Sequence, residues 1–253
     1  MQRRYARMPR LMFLLRRLQR TNYEPEMELL DVLCDRAAIS VDVGAKLGMY
    51  TYELLRHSRE VVAFEPIPVL GEMISRVFRK RPVRVERCAL SDTPGRTTMR
   101  VPYGSNGEVK FGRSTIEPTN SLQHDDVARV QEIDVAVKTL DEHDLRGVGF
   151  IKIDVEGHEL AVLRGATATL DREHPNLLVE ANDHHHPGAV RELRELMSQR
   201  GYAGYFREHG KLVDLATVTD FDHFRRAGIE NFIFVHASRA ALIPRLAPRV
   251  ARL

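Results

Sequence analysis

The chain of 253 residues predicts an α/β fold: a mostly parallel sheet of seven core strands with a β-rich insertion. Three observations predict it. Short runs rich in Val and Ile alternate with segments whose apolar residues recur every three to four positions. The first of these runs, Ile39–Val43, breaks at Gly44 and Gly48 and passes directly into a helical segment, as nucleotide-binding α/β sheets begin. Between residues 91 and 138 the apolar period changes to two, the mark of half-exposed strands inserted into the rhythm.

Each element follows from its own pattern. Met27, Leu30, Leu33 and Cys34 predict a helix over residues 24–37 that covers the sheet before the first strand at 39–43. A helix to about His57 comes next, then a strand at 61–65 closed by Pro66. Leu70, Met73, Ile74 and Val77 share one face of a helix at 68–80, and Val83–Leu90 reads as the third strand. In the insertion, 97–101 and 132–137 alternate as strands around a long polar loop at 102–126, the length of a substrate-facing lid. The rhythm resumes with a strand at 149–154, a helix at 158–171, a strand at 177–180 and a helix at 188–200. Two last strands, 202–206 and 231–235, flank an irregular segment. The domain plan is therefore a basic N-terminal arm at 1–20, one domain at 21–236 with its insertion at about 95–137, and a basic C-terminal tail at 237–253.

Charge and cysteine content narrow the function classes. Residues 1–20 carry seven arginines, and 237–253 carry four, with no acid in either end. Removing those eleven from 38 basic residues leaves 27 against 35 acidic ones in the body. A body of that sign excludes a nucleic-acid groove, so no nucleic-acid partner is expected. The basic ends suit peripheral contact with an anionic membrane. Cys34 and Cys88 have no metal-ligand spacing and form no disulfide framework, which places the chain in a reducing compartment. No run is long enough to cross a membrane, and the Leu11–Leu15 patch lacks a cleavage site, so the expected location is cytoplasmic with membrane-peripheral contact.

The chemistry-bearing residues fall at predicted strand ends. Asp42 followed by Gly44 and Gly48 in a G-x-x-x-G spacing lacks the G-x-G-x-x-G of a dinucleotide site. An acid there attracts the ammonium of an amino-acid moiety and repels a pyrophosphate, which suits a methyl donor. Glu65 ends the second strand, where a carboxylate reaches ribose hydroxyls. Asp92 follows the third strand, at the place of an adenine amine. Asp154, Glu156 and His158 crowd one strand-to-helix junction. His158 at the helix start is the expected general base, and Asp154 and Glu156 either orient an acceptor or hold a divalent metal. Glu180, at the next strand end, points at the same rim as an acceptor-side acid. The run Asp183–His186 looks metal-like, but consecutive loop residues seldom share one ion, so no metal site is assigned.

These stretches resemble the FkbM-type S-adenosylmethionine-dependent methyltransferases. The resemblance rests on VDVGAKLGMYT at 41–51, AFEP at 63–66, ALSD at 89–92, KTLD at 138–141, IKIDVEGHE at 151–159, LRGA at 163–166 and VE at 179–180. It covers roughly residues 39–182, and the DVEGHE segment is its most specific part. It implies a Rossmann-like class I methyltransferase sheet that uses S-adenosyl-L-methionine to methylate a hydroxyl of a sugar, glycolipid or secondary metabolite. It also implies a pocket role for Asn120 and Ser121, which match a polar segment before the Thr-Leu-Asp strand. One departure is Lys46, which stands where such turns carry Asn. A lysine there weakens binding of a sulfonium, unless it pairs with the donor's carboxylate or points to solvent. Two alternatives remain at this point: an NAD-dependent oxidoreductase on the same sheet, and a non-catalytic methyltransferase-like binding module.

Overall fold

The computed structural model describes residues 13–15, 23–122, 125–183 and 188–251. A 3-10 helix at Pro25–Leu29 leads into α1 (Leu30–Leu33). The chain then runs β1 (Ile39–Val43), α2 (Met49–Leu55), β2 (Glu60–Phe64), α3 (Pro68–Val77), β3 (Val83–Glu86), β4 (Ala89–Leu90), β5 (Gly95–Tyr103) and β6 (Arg129–Lys138). It continues through β7 (Val148–Ile153), α4 (Glu159–Arg164), α5 (Thr167–Glu173), β8 (Asn176–Glu180), α6 (Ala189–Ser198), β9 (Tyr202–Glu208) and β10 (Lys211–Asp214). The last elements are α7 (Asp222–Ala227), β11 (Asn231–His236) and α8 (Ile243–Val250).

The main sheet has the order β10-β9-β11-β8-β7-β1-β2-β3. The five strands from β8 to β3 are parallel, and β11 runs antiparallel between β8 and β9. All seven expected core strands are present, with β10 as an eighth. The sequence gives no warning of β10, because its hairpin turns on His209 and Gly210 rather than Asn-Gly. Both residues have positive φ, 46° and 69°, as a two-residue hairpin turn of matching twist requires.

Both faces of the sheet are buried, and alternate residues serve opposite cores. Val61, Ala63, Phe150, Leu178 and Ile233 pack against α1, α2 and α3. Val62, Phe64, Ile151, Ile153, Leu177, Val179, Phe232 and Phe234 pack against α4, α5 and α6.

Three expected elements change when tertiary contacts enter. The strand expected at 83–90 divides: β3 pairs with β2, then β4 leaves to pair with β6. It joins a separate sheet of order β4-β6-β5, which is the insertion. The helix expected at 158–171 is broken at Gly165, where a Cβ would lie 2.0 Å from the carbonyl oxygen of Ser91. The helix expected at 24–37 ends at Cys34, which is extended, although Met27, Leu30 and Leu33 are buried as their spacing predicts.

The chain ends are also reshaped. The expected N-terminal arm lies outside the described residues except for Phe13–Leu15, whose Phe13 ring packs 5.6 Å from Phe78 and 5.7 Å from Tyr52. The C-terminal tail is a docked helix over Ile243–Val250, with Leu246 and Val250 wholly buried and Arg249 paired with Asp31. No helix of the described residues is long and apolar enough to cross a membrane.

Leu246→Ala should therefore destabilise the protein by about 2–5 kcal/mol in a urea titration, the cost of a cavity in a packed core. A solvated tail would show a change within about 0.5 kcal/mol.

Candidate active site

The strand order reverses between β1 and β7, so the loops leaving their C-terminal ends part around a crevice. Gly44 and Gly48 stand in that first loop with φ of 81° and 78°. A Cβ on Gly44 would lie 2.0 Å from the carbonyl oxygen of Asp154, so only glycine lets the two loops touch. Gly48 caps α2, and a Cβ there would crowd the Phe78 ring at 3.1 Å.

Asp42 does not reach the crevice. It is fully buried, and its Oδ2 accepts the Thr51 hydroxyl at 2.6 Å, which fixes the first turns of α2 to β1. Its Oδ1 has no partner among the described residues. Burial raises its pKa, and neither the Lys152 charge nor the Thr51 bond fully offsets that. The expected ammonium contact is thus corrected to an internal one: Asp42 points under the turn because its strand position faces the core.

Glu65 does face a cavity. That cavity is bounded by Gly44, Lys46, Glu65, Ile67, Cys88, Leu90 and Asp154, and the insertion closes it with Met99, Phe111, Ser114 and Ile116. The carboxylate accepts the backbone N–H of Lys46 and of Ile67, both at 2.8 Å. Burial pushes its pKa up to about 8 against the pull of those two donors. Asp92, expected beside it, lies elsewhere. It is exposed and outside this cavity: Ala89 and Leu90 of β4 line the cavity, and the chain runs out to solvent after the buried Ser91.

The β7 terminus holds the densest charge. Lys152 is buried, stands 4.6 Å from the Tyr50 ring centroid, and donates to Asp154 Oδ2 at 2.5 Å. Lys46 donates to Asp154 Oδ1 and Glu156 Oε1, each at 2.8 Å, and to the Gly112 carbonyl at 3.3 Å. Lys46 therefore neither meets solvent alone nor waits for a donor carboxylate: it is paired inside the protein. Burial raises Asp154, but Lys152 and Lys46 outweigh it and hold the carboxyl well below its usual range. Burial lowers Lys46, yet Asp154, Glu156 and Glu180 keep it well above the ordinary lysine value. Burial raises Glu156, with the Lys46 charge only partly opposing.

Glu180 closes a second cavity with Glu24, Tyr50, Gly112, Lys152 and Asp154, adjoining the first through Gly44 and Lys46. Its carboxyl pKa is raised strongly, first by burial and then by the Asp154 charge. One oxygen each of Asp154, Glu156 and Glu180 lie within 4.8 Å of one another.

His158 is placed differently from the sequence expectation. Its Nε2 is 2.9 Å from the Ser91 hydroxyl and its Nδ1 is 3.0 Å from Glu117 Oε2. Both ring nitrogens are engaged, and the residue lines neither cavity. It ties the start of α4 to the insertion. Asn120 acts in the same way: it is buried, and its Nδ2 donates to the Glu156 carbonyl at 3.0 Å, beside Thr115 Oγ1 at 2.9 Å. These bonds hold Glu156 at φ 60°, an uncommon backbone for a non-glycine residue. Ser121 is exposed and lines neither cavity. The histidines of the run Asp183–His186 lie outside the described residues.

The structure thus brings Gly44, Glu65, Asp154, Glu156 and Glu180 to one rim, while Gly48 stands behind it as the cap of α2. Asp42, Asp92, His158, Asn120 and Ser121 surround or support it. Sequence reasoning missed Lys152, whose place in an otherwise apolar strand was the available signal, and Glu117, Ser91 and Tyr50, which gave none. Glu159 was also missed: its carboxylate accepts the N–H groups of Val155 and Gly157 at 3.1 Å and caps the turn.

Comparison with known proteins gives the family. The methyltransferase FkbM domain model matches residues 42–203. Methyltransferase sdnD of Sordaria araneosa is 27% identical over 199 residues, covering 64% of this chain and 72% of that protein. The 31-O-demethyl-FK506 methyltransferase FkbM of Streptomyces tacrolimicus is 29% identical over 189 residues, covering 64% and 71%. The crystal structure of methyltransferase FkbM from Methylobacillus flagellatus KT shares the fold, with a TM-score of 0.53 at 18% identity over 84% of this chain. This chain spans half of that one. With its family model matched over most of its length and its charged rim at the sheet's switch point, the chain belongs to the FkbM methyltransferase family.

Proposed function

We propose that this chain is an S-adenosylmethionine-dependent O-methyltransferase whose acceptor is a hydroxylated small molecule or glycan. The observation that carries this is the pair of adjoining cavities at the switch point, one ending on Glu65 and the other on Glu180. The residues of the first suit an adenosyl group. Gly44 lines it, and the absence of a side chain there lets the β1 loop lie against the Asp154 carbonyl and shape its floor. Glu65 has lone pairs to accept ribose hydroxyls beyond its two backbone donors, and Ile67, Cys88 and Leu90 offer an apolar slot for a base. When bound, S-adenosylmethionine supplies an electrophilic methyl group on a sulfonium. Hydroxyl transfer is favoured over other acceptors by the relative that acts on 31-O-demethyl-FK506, as its name states.

The chain must then hold the acceptor and take its proton. Asp154 is a poor base, since two ammonium groups hold it ionised. Glu180 is the better one. Its carboxyl makes no hydrogen bond within the described residues, faces the second cavity, and is less acidic than an ordinary carboxyl. We therefore assign it the acceptor proton. His158 has a positioning role through Glu117 and Ser91. The nicotinamide alternative is disfavoured, since the turn lacks the glycine pair that a pyrophosphate needs.

Glu65→Ala should weaken binding of S-adenosylmethionine by ~10-fold or more in titration calorimetry, and Asp92→Ala by less than ~2-fold. Equal losses would return Asp92 to the donor pocket. Glu180 must be ionised to accept a proton, and its pKa is raised. Turnover should accordingly rise with pH through a range above that of ordinary carboxyls and then level off. Glu180→Gln should lose ~10²-fold in kcat and that acid limb, while His158→Ala should lose less than ~10-fold and melt at lower temperature. A His158→Ala enzyme with wild-type melting and a ~10²-fold loss would make the imidazole the base instead.

A further inference from the structure

Asp154, Glu156 and Glu180 present three carboxylate oxygens within 4.8 Å of one another at the tips of two adjacent strands. That span is about twice a metal–oxygen distance of ~2.3–2.6 Å, so the set has the width and chemistry of a hard divalent-cation shell. A cation is already there, and it belongs to the chain. The Lys46 ammonium lies 2.8 Å from Asp154 and 2.8 Å from Glu156, and its remaining donor faces the Gly112 carbonyl at 3.3 Å.

The backbone is arranged to keep it there. Lys46 has φ 51°, a left-handed conformation that Asn or Gly adopts more readily than Lys. Its N–H is fixed on Glu65 at 2.8 Å, which anchors the stem while the side chain crosses to the β7 loop. The other oxygen of Asp154 is held by Lys152, so the cluster keeps one buried ammonium even without Lys46. Without Lys46, the three carboxyls would face a single ammonium, with their oxygens still within 4.8 Å of one another and open to a hard divalent cation.

We propose that Lys46 is the resident cation of this acidic cluster: its ammonium takes the place of a divalent metal, and removing it opens a site for one. The inference does not rest on methyl transfer, since occupancy is read without turnover.

Manganese binding tests it on the full chain, by loss of the free Mn2+ signal in electron paramagnetic resonance at neutral pH. Wild type and Lys46→Arg, which keep a cation in place, should leave Mn2+ free up to about 1 mM. Lys46→Asn, whose side chain suits the left-handed backbone, should take up one Mn2+ per chain with a Kd of ~10⁻⁴ M or tighter, and gain a Mn2+-dependent rise in melting temperature. Adding Glu156→Gln to Lys46→Asn should weaken that binding ~10-fold or more, which separates the cluster from surface acids. If Lys46→Asn does not fold, Lys46→Met, which keeps the stem and drops the charge, enters the same titration. Wild type binding Mn2+ as tightly as the variant would overturn the proposal, and so would a folded charge-removed variant that binds none.

Discussion

The rim depends on Asp154 being held between two lysines. A buried carboxylate is tolerable only when paired, and losing one partner of such a pair costs about 3–5 kcal/mol. Lys152 supplies one partner from within β7 itself, and Lys46 supplies the other from the loop after β1. That second bridge crosses the switch point, the place where the two halves of the sheet diverge. The same crossing is made by the backbone, because Gly44 lets the β1 loop lie directly on the Asp154 carbonyl. Ion pair and close approach act together to set the width of the crevice.

The insertion is part of this arrangement rather than an appendage. Its sheet supplies Leu90 and Met99, and the segment between β5 and β6 supplies Phe111, Ser114 and Ile116, as walls of the first cavity. Its polar residues Thr115, Glu117 and Asn120 bind the Glu156–His158 turn from outside. A turn with positive φ at Glu156 and Gly157 is held by those contacts and by Glu159 from below. The segment that encloses the first cavity is thus the one that holds the acidic turn in shape.

Carboxylates of one rim are given different characters by their surroundings. Asp154 stays ionised because ammonium groups surround it, whereas Glu180, less deeply buried, is pushed toward its neutral form by burial and by the Asp154 charge. The proposed division, with Asp154 as electrostatic anchor and Glu180 as proton acceptor, draws on this difference in charge along one sheet edge.

The sequence by itself determined the alternation of strands and helices, the seven core strands, the glycine turn and the set of acids at strand ends. These are local matters: apolar period, β-branched runs and glycine position act over a few residues. It also sufficed to place Gly44, Glu65, Asp154 and Glu180 at the crevice, because a residue ending a parallel strand has few other places to go. Only the tertiary structure decided which way the remaining side chains face. Asp42 turned inward to Thr51, Asp92 came out at the surface beyond β4, and His158 was engaged by Ser91 and Glu117, partners 67 and 41 residues distant. The role of Lys46 was hidden for the same reason, since the oxygens that hold it lie 108 and 110 residues along the chain and meet it only when β1 and β7 become neighbours.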